Sequence, residues 1–454
     1  MINRSDWYGK KQIKLGAFIL LPGQHVASWR YPSTQPHRTF DLDYLIEIAK
    51  TAERGKFDTI FFADVFGQNL AENTPSALKL DPVILISALA AVTKNIGLTA
   101  TLTTTYNEPF QVARKYSAID HLSKGRAAWN VVTSANDSES LLFGKEKHLQ
   151  HADRYERAEE FVDVVKKLWF SIEHEALIID KENGEFLDLN KVHPVDHEGK
   201  WFKVQGTLDS PSTPQGHPVI VQAGSSEAGK ELAAKTAEVI FTAWQTLEEA
   251  QAFYRDVKGR LAKYGRKPED LKIMPGVFIT VAKTEEEAIA KRKELNSYIL
   301  PEIGLEYLSG FTGVDLTGYD VDGPIPDFAE IEDPTNPGIR RNLIRGLVER
   351  ENLKTLREVY ERISGARGHR EIVGTPSQIA DQLEEWFLNE GADGFNIQPP
   401  TFPDGLNDIV DLVIPELQRR GLFRTEYESN TLRGNLGLSV PVNPNKKQPQ
   451  TVGE

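Results

Sequence analysis

The sequence predicts an α/β fold of the (β/α)8 class, a TIM barrel with insertions, from two observations. Eight short apolar segments alternate with segments of helical periodicity along the 454-residue chain. The apolar segments are continuous, which is typical of strands buried on both faces of a parallel sheet. Eight strand–helix units are the number that closes a parallel barrel. An open, doubly wound sheet is the alternative, and the lack of a G-x-G-x-x-G motif after the first strand disfavours its dinucleotide-binding form.

The predicted strands are rich in β-branched and aromatic residues, and turn residues or helical segments separate them. The first strand ends at Pro22–Gly23, and the third is a run of Ile, Leu, Ala and Thr with one Gly. We therefore predict strands at Ile13–Leu21, Phe57–Ala63, Ile96–Thr105, Arg126–Ser134, Pro218–Gln222, Glu238–Thr242, Lys272–Ala282 and Gly391–Gln398.

Several predicted helices carry start signals. Asp81 before Pro82 is a favourable N-cap and first-turn pair, and Thr375 with Gln378 forms a capping box. Periodicity and these signals together predict helices at Asp43–Arg54, Asp81–Thr93, Phe110–Leu122, His151–Phe170, Glu227–Ala237, Leu247–Tyr264, Thr284–Tyr298, Arg340–Ile363, Thr375–Leu388 and Asp404–Arg420.

The eight units indicate one domain, 1–442, with two insertions that interrupt the alternation. The first insertion, at about 172–217, contains a segment, 191–206, that is typical of a hairpin or an extended insert. The second, at about 299–370, carries clusters of Gly, Pro and Asp ahead of a basic helical stretch. The polar segment 443–454 is almost free of apolar residues and is predicted to be a disordered tail.

Composition excludes several classes of function. The net charge is −13 and no long basic run is present, so nucleic acid and anionic membrane are disfavoured as partners. The chain has no Cys, which excludes disulfides, zinc thiolates and thiol catalysis. It shows no signal-peptide core and no apolar run of about 18 residues, so we expect a cytoplasmic protein without a membrane span. His193 and His197 have no third ligand nearby, and we predict no metal site.

The stretch Pro218–Lys230 is a strand, a turn of small residues and a helix start, and it suggests a binding site. The first turn of a helix has unpaired N–H groups and a positive dipole end. Gly224 permits close approach to the backbone, and Ser225 and Ser226 add hydroxyl donors, which predicts a cradle for phosphate or another small anion. The alternative is an ordinary Ser N-cap after a strand.

Polar residues also stand where other predicted strands end, and in a barrel those ends form the site. Asp64 follows the second strand, Thr101 lies on the third, and Asn130 lies on the fourth. His151 and Tyr155 are four residues apart at the start of a helix, so they share one face near its positive end. Each has a structural alternative: a turn or cap for Asp64, ordinary strand positions for Thr101 and Asn130, and simple packing for the pair.

A set of eight stretches runs along nearly the whole chain. Its members are SWRYPSTQPHR (Ser28–Arg38), FFADVFG (Phe61–Gly67), TTTYNEPF (Thr103–Phe110), DHLSKGRAAWNVVTSAN (Asp120–Asn136), HADRYERAEEF (His151–Phe161), PVIVQAGSSEAGKELAAKTAE (Pro218–Glu238), GADGFNIQPP (Gly391–Pro400) and VIPELQRRGLFR (Val413–Arg424). This set resembles the bacterial luciferase-like, FMN-dependent monooxygenases, in the subfamily of nitrilotriacetate monooxygenase component A.

The resemblance implies reduced FMN at the carboxyl-terminal mouth of the barrel, O2 as co-substrate, and a separate NADH:FMN reductase that supplies the reduced flavin. It also implies a homodimer or a homotetramer. Apolar strands and aromatic residues would shield the flavin from water, with Phe62, Phe66, Tyr106 and Trp129 as candidates. Carried over position by position, the FMN-contacting residues are Asp64, Thr101, His151, Tyr155, Ser225 and Ser226.

The resemblance leaves the small organic substrate open and assigns no acid or base. An aminopolycarboxylate such as nitrilotriacetate is the first candidate, and its carboxylates would need cations. An organosulfur compound or an alkane is the alternative substrate. Two alternative functions also remain: a hydride-transferring deazaflavin oxidoreductase, which is similar in fold, and a flavin-binding protein without turnover, which is a different class. Candidates for substrate contact are Arg30, Tyr106 and Trp129, with His37, Arg38 and the Arg340–Arg345 cluster as further cations.

Overall fold

The computed structural model describes residues 11–67, 77–134, 136–328 and 339–446, with the backbone alone for 339 and 340. Parallel strands form its largest sheet, and two antiparallel pairs lie outside that sheet. The strands are β1 (Lys14–Phe18), β2 (Thr59–Phe62), β3 (Gly97–Thr103), β4 (Ala127–Val132), β5 (Leu177–Asp180), β6 (Glu185–Leu187), β7 (Val195–Glu198), β8 (Lys203–Gly206), β9 (Val219–Gln222), β10 (Val239–Thr242), β11 (Lys272–Val281), β12 (Arg370–Gly374) and β13 (Gly394–Gln398).

Eight parallel strands close into a ring in the order β1, β2, β3, β4, β9, β10, β11 and β13. Closure is visible at Gly16, which pairs with Thr59 on one side and with Asn396 on the other. All eight predicted strands are present within these bounds. The ring confirms the predicted (β/α)8 barrel and excludes the open sheet.

Helices follow the ring strands and pack on its outer face. The predicted starts at Asp81 and Thr375 are confirmed: Asp81 accepts the N–H groups of Val83 and Ile84, and Thr375 and Gln378 cap each other reciprocally. The helices are α1 (Leu42–Arg54), α2 (Pro82–Ala90), α3 (Pro109–Leu122), α4 (Ser138–Leu142), α5 (His151–Trp169), α6 (Glu227–Thr236), α7 (Leu247–Arg260), α8 (Glu285–Ser297), α9 (Pro301–Thr312), α10 (Ile339–Glu351), α11 (Leu356–Ile363), α12 (Pro376–Leu388), α13 (Asp404–Asp408), α14 (Ile414–Arg419) and α15 (Leu432–Asn435).

The C-terminal segment, 421–446, fills the end of the ring at which the strands begin. Its residues Leu432, Leu436 and Leu438 belong to the same buried cluster as Phe61 and Phe241 on the inner face of the ring. Gly97, at the start of β3, makes room for this filling, because an added Cβ would lie 2.5 Å from Leu432. The opposite end, where the strands finish, is left for the site.

Buried ion pairs attach the C-terminal segment to the strand starts. Arg433 is 1% exposed, and its Nη2 donates to Glu238 Oε2 at 3.0 Å and to the carbonyl of His217 at 3.1 Å. Arg424 pairs with the fully buried Asp58 in front of β2. These contacts leave both carboxylates paired, which a buried charge requires.

Two predicted helices differ from the structure, and α4, α9, α15 and β12 were not predicted. The helix predicted at Arg340–Ile363 is two helices, α10 and α11, because Thr355 and Glu358 form a capping box that begins the second. The helix predicted at Asp404–Arg420 contains a π-turn at Ile409–Val413 between α13 and α14. Pro415 explains that break, since it has no N–H to continue the ladder. Strand β12, which pairs with β11 outside the ring, was not predicted.

The two predicted insertions hold compact elements. Residues 172–217 contain the antiparallel pairs β5–β6 and β7–β8, and the second pair is the hairpin predicted within 191–206. Residues 299–370 contain α9, α10 and α11, which share a buried cluster of their own. Of the predicted tail, 443–446 is described, and the buried Asn443 donates its Nδ2 to the Phe170 carbonyl at 3.1 Å; 447–454 lies outside the described residues. No helix in the described ranges has the length and apolar character needed to cross a bilayer.

Candidate functional site

Two inward-facing polar residues lie near the ends of β3 and β4. Because side chains alternate along a strand, the cross-strand pair Thr101 and Asn130 faces the inside of the ring. The Thr101 hydroxyl donates to the Phe62 carbonyl at 2.9 Å, and Asn130 Nδ2 donates to Thr101 Oγ1 at 2.8 Å. Asn130 Oδ1 is buried and has no hydrogen-bond partner in the described part of the chain. The pair is thus fixed in place and retains an acceptor for a ligand.

The turn between β9 and α6 has the predicted order of strand, small residues and helix. Ser226 is the N-cap of α6, and its hydroxyl accepts the Gly229 N–H at 3.2 Å, so the N-cap alternative holds for this side chain. The Ser225 hydroxyl makes no hydrogen bond within the described residues. Glu227, in the first turn, is directed to Lys230 and Arg260, which offsets its charge. The first-turn backbone donors and Ser225 therefore remain available to an anion.

Tyr155 lies against this turn. A Cβ added at Gly224 would be 3.3 Å from the Tyr155 hydroxyl oxygen and 3.0 Å from the Gly229 backbone. His151 is on the same side of α5, with its ring centroid 4.8 Å from that of Tyr155. The first turn of α5 and the first turn of α6 thus converge at Gly224, as the spacing of His151 and Tyr155 suggested.

Burial shifts the pKa of two of these residues. Burial raises the pKa of Asp64, and the Lys79 ammonium, 3.4 Å from its Oδ1, opposes that rise. Burial and the neighbouring charge of Arg154 lower the pKa of His151 below its usual 6.5. His151 is therefore neutral at pH 7 and offers a hydrogen bond rather than a positive charge.

The six residues predicted to contact the cofactor lie on one arc of the rim. Asp64 follows β2, and Thr101 lies in β3. His151 and Tyr155 lie near the start of α5, which comes after β4 and α4 in the chain, and Ser225 and Ser226 follow β9. These four strands are consecutive neighbours in the ring. The arc combines the start of α6 at one end with the Asp64 carboxylate and the Thr101 hydroxyl at the other, which suits a ligand with an anionic tail and a polar body.

Two of the residues predicted to contact substrate lie elsewhere. Trp129 is wrong, because it alternates with the inward-facing Asn130 and points out of the ring. It is fully buried, its Nε1 donates to the Leu102 carbonyl at 2.9 Å, and its ring packs against Phe161 of α5. Arg30 donates to the Tyr298 carbonyl just beyond α8 and makes no hydrogen bond to the arc in the described residues.

The Arg340–Arg345 cluster was predicted to supply further cations. Arg341 is buried against the Thr312 carbonyl, and the Arg340 side chain lies outside the described residues.

Tyr106, the third predicted substrate residue, lies beyond the end of β3 in an aromatic row. Its ring stacks on Phe143 with centroids 4.4 Å apart and planes 4° apart, and Phe143 contacts Phe66 at 5.3 Å. Phe66 follows Asp64 by two residues, so the row stands beside the arc. Phe62, also predicted as part of a dry wall, faces the outer core instead.

Sequence reasoning missed three polar residues of this region. Gln222 ends β9, its Nε2 is 3.4 Å from a Cβ added at Gly224, and its buried Oε1 has no partner among the described residues. His148 bonds Tyr106, and Arg154 bonds His148. The spacing held a signal, because His148 and Arg154 stand three residues before and after His151. A cavity of about 360 Å³ lies apart from the arc, lined by Tyr31, Lys291, Glu294 and Asp408 among others and by none of the six.

Comparison with known proteins decides the family. The family model described as luciferase-like monooxygenase matches residues 18–394. The chain belongs to the luciferase-like monooxygenase family. It is similar to nitrilotriacetate monooxygenase component A of Aminobacter aminovorans, with 52% identity over 95% of this chain and 98% of the relative. It is equally similar to N-acetyl-S-(2-succino)cysteine monooxygenase of Bacillus subtilis (strain 168), with 52% identity over 96% of this chain and 98% of the relative.

A similar solved structure contains a flavin. The structure of riboflavin lyase (RcaE) with modified FMN and riboflavin has a TM-score of 0.83 and 32% sequence identity to this chain. The match covers 95% of this chain and 97% of that chain. As a luciferase-like monooxygenase, the present chain is an enzyme that uses a flavin. The two relatives at the same identity act, by their names, on different substrates, so family membership leaves the substrate of this monooxygenase open.

Proposed function

We propose that the protein is the oxygenase component of a two-component system that uses reduced FMN and O2 to oxygenate a small aminopolycarboxylate such as nitrilotriacetate. A separate NADH:FMN reductase supplies the reduced flavin. The observation that carries the flavin part of the proposal is the convergence of Tyr155, Gly224 and the start of α6 at the rim of the ring. The observation that carries the substrate part is the similarity along the whole chain to nitrilotriacetate monooxygenase component A.

The residues of the arc fit FMN. The free Ser225 hydroxyl and the first-turn N–H groups of α6 would take the phosphate, since Gly224 leaves room for close approach. Tyr155 and the neutral His151 would bind next to it through hydrogen bonds. Asp64 and Thr101 would contact the remaining polar groups from β2 and β3. Reduced FMN, when bound, supplies the electrons with which O2 is activated.

The chain's own contribution to the reaction is to exclude water and orient the substrate. The row of Phe66, Phe143 and Tyr106 forms an apolar wall next to the arc, and water kept out of the site cannot divert the oxygenation. With nitrilotriacetate, one oxygen atom enters a carbon next to the nitrogen, and the resulting carbinolamine collapses to glyoxylate and iminodiacetate. The other oxygen atom leaves as water.

A thioether substrate is the second candidate. The similarity to N-acetyl-S-(2-succino)cysteine monooxygenase has the same identity as that to the aminopolycarboxylate enzyme. Both compounds carry several carboxylates close to the reacting atom, which is a carbon next to nitrogen in nitrilotriacetate and the sulfur itself in the thioether. The shared carboxylates favour these two over an alkane.

The deciding experiment is a substrate panel with chemically reduced FMN and O2, so that no reductase is needed. The panel contains nitrilotriacetate, N-acetyl-S-(2-succino)cysteine, dimethyl sulfide and hexadecane. We expect glyoxylate from nitrilotriacetate, with O2 consumption above the peroxide released without substrate. Oxidation of the thioether alone would move the substrate proposal to the second candidate, and peroxide release with every compound would contradict turnover of these classes.

Assembly can be measured on the same preparation. We propose a homodimer or a homotetramer, and light scattering after size-exclusion chromatography would show twice or four times the mass of the 50.9 kDa chain. A monomeric mass would refute this part without affecting the flavin proposal.

A further inference from the structure

A chain of hydrogen bonds connects Tyr106 to the first turn of α5. The Tyr106 hydroxyl oxygen bonds Nδ1 of His148, and Nε2 of His148 lies 2.8 Å from Nη1 of Arg154. Arg154 is 5% exposed and also donates to the Ser134 carbonyl, so its guanidinium is held from two sides. None of these contacts is needed to form the barrel, since Tyr106 and His148 lie outside its strands.

The two bonds of His148 determine which atoms carry protons. A guanidinium in a protein is always a donor, so Nε2 of His148 must be the acceptor in its bond with Arg154. A neutral imidazole with an unprotonated Nε2 carries its proton on Nδ1. Nδ1 therefore donates to Tyr106, and the Tyr106 oxygen accepts. The hydroxyl proton of Tyr106 must then point to another acceptor.

The remaining surroundings keep this arrangement rigid. The Tyr106 ring cannot rotate freely, because it stacks on Phe143 within 4° of parallel. The buried Ser134 hydroxyl forms hydrogen bonds with Thr103 Oγ1 at 2.9 Å and with Glu139 Oε2 at 2.7 Å, and these bonds connect the end of β3 to α4. The described residues offer no second acceptor to the Tyr106 hydroxyl. Its proton is available to a ligand at the rim.

We propose that His148, held by Arg154, is a positioning residue that keeps Tyr106 as a hydrogen-bond donor to an oxygen acceptor of the substrate. The inference rests on the proposed function for the identity of the site. It adds that this site selects substrates with a carboxylate or similar oxygen group near the reacting atom, because a hydrocarbon would leave the donor unpaired. Tyr106 touches substrate, and His148 acts through Tyr106.

The first test measures the His148 tautomer on the flavin-free protein. Long-range ¹H–¹⁵N correlation spectra of ¹⁵N-histidine-labelled protein at pH 8 distinguish protonated from unprotonated ring nitrogens, and loss of one signal in His148→Asn assigns it. We expect a neutral ring protonated on Nδ1. A ring protonated on Nε2 would overturn the inference, whatever the substrate is.

The second test is a double-mutant cycle on the panel compound with the highest kcat/KM. Tyr106→Phe keeps the stacked ring without the hydroxyl, and His148→Leu removes both ring nitrogens. We expect each change to raise KM about tenfold and the double variant to raise it no further, because both remove the same bond. His148→Asn, which keeps one donor and one acceptor, should restore KM to within about twofold.

Tyr254→Phe is the matched control, since its hydroxyl bonds Asp393 at the opposite end of the barrel at 3.0 Å. It should leave KM unchanged. An unchanged KM in Tyr106→Phe, or effects that multiply to about a hundredfold in the double variant, would overturn the inference. If no panel compound is turned over, the proposed function fails and the tautomer measurement decides the inference alone.

Discussion

At the scale of single residues, the site depends on how closely Gly224, Gly229 and Tyr155 approach one another. The two glycines bring the turn after β9 within contact of the first turn of α6, and the Tyr155 hydroxyl lies against both. An added Cβ at Gly224 would crowd this approach, because it would lie 3.0 Å from Gly229 Cα and 3.3 Å from the Tyr155 hydroxyl oxygen. A ligand that needs backbone donors can therefore reach them at this position.

Gly224→Ala should weaken FMN binding by tenfold or more. The added methyl group would be 3.0 Å from Gly229 Cα and 3.3 Å from the Tyr155 hydroxyl, so the turn must shift away from its donors. Equilibrium dialysis or quenching of FMN fluorescence measures the affinity. Gly259→Ala, in α7 with no atom within 4 Å of the added Cβ, is the control and should leave affinity unchanged while stabilising the helix by about 0.5–1 kcal/mol. Equal affinity in both variants would contradict the phosphate cradle.

Single residues also show where sequence reasoning worked and where it stopped. The positions of Asp64, Thr101, His151 and Tyr155 could be predicted because strand ends and helix starts are visible in the sequence; their contact with a cofactor stays a prediction. Trp129 could have been rejected from the sequence alone, since it alternates with Asn130 on a strand that has one inner face. The role of His148 could not be predicted, because its partners Tyr106 and Arg154 are brought to it by tertiary structure.

At the scale of elements, continuous apolar runs made the ring strands easy to predict. Strand β12 was not predicted because its sequence, REIVG, has charged residues at its start and directly follows the segment that was interpreted as an insertion. Only Ile372 and Gly374 of β12 are buried, as expected for an edge strand that pairs with β11 alone. The division of α10 from α11 was visible in the Thr355 capping box, but the basic periodicity on both sides concealed it.

The pairing of β9 and β10 with the C-terminal segment predicts a loss of stability in acid. Burial alone would raise the pKa of Glu238, yet the adjacent Arg433 lowers it from 4.5 to about 2. A carboxyl group whose pKa is lower in the folded state stabilises the fold above its unfolded pKa, and this contribution disappears as the pH falls from about 4.5 to 2. Burial also lowers the pKa of His217 from 6.5 to about 3, so its protonation opposes folding from about pH 6.5 downward.

Glu238→Gln should therefore flatten the decline of unfolding free energy below pH 4.5, although the variant is less stable at pH 7. Urea unfolding at a series of pH values measures the slope. Glu182→Gln, at the exposed turn between β5 and β6, is the control and should retain the slope of the natural protein. The same slope in all three proteins would show that Glu238 does not carry the effect.

At the scale of the whole molecule, the barrel has two ends with different tasks. The rim where the strands finish carries the arc of polar residues, and the end where they begin is filled by leucines of the C-terminal segment. The proposed binding site and the stabilising C-terminal contacts are thus at opposite ends of the barrel, as in other (β/α)8 proteins. The number of strands and their order could be predicted from the sequence. The filling of the end where the strands begin could not, because the segment that provides it is distant in sequence from most of the strands that it contacts.

Deleting residues 430–454 should abolish cooperative folding. The deletion removes Leu432, Leu436 and Leu438 from the inner cluster and leaves Glu238 buried without Arg433. Circular dichroism during heating should show a broad transition at lower temperature, or the protein should be recovered only as aggregate. Deletion of 447–454 is the control. We expect it to leave Tm unchanged, because this segment is predicted to be part of a polar tail. A sharp transition at the original temperature in the longer deletion would contradict this account.

The position of Leu432 and Arg433 after all eight ring strands also has a consequence for biosynthesis. Synthesis runs from the N-terminus, so β13 is made before the leucines that fill the barrel and before the arginine that neutralises Glu238. A nascent chain that has just completed β13 therefore lacks the filling of its apolar interior. Chaperones that bind exposed apolar surface would act on it in that interval.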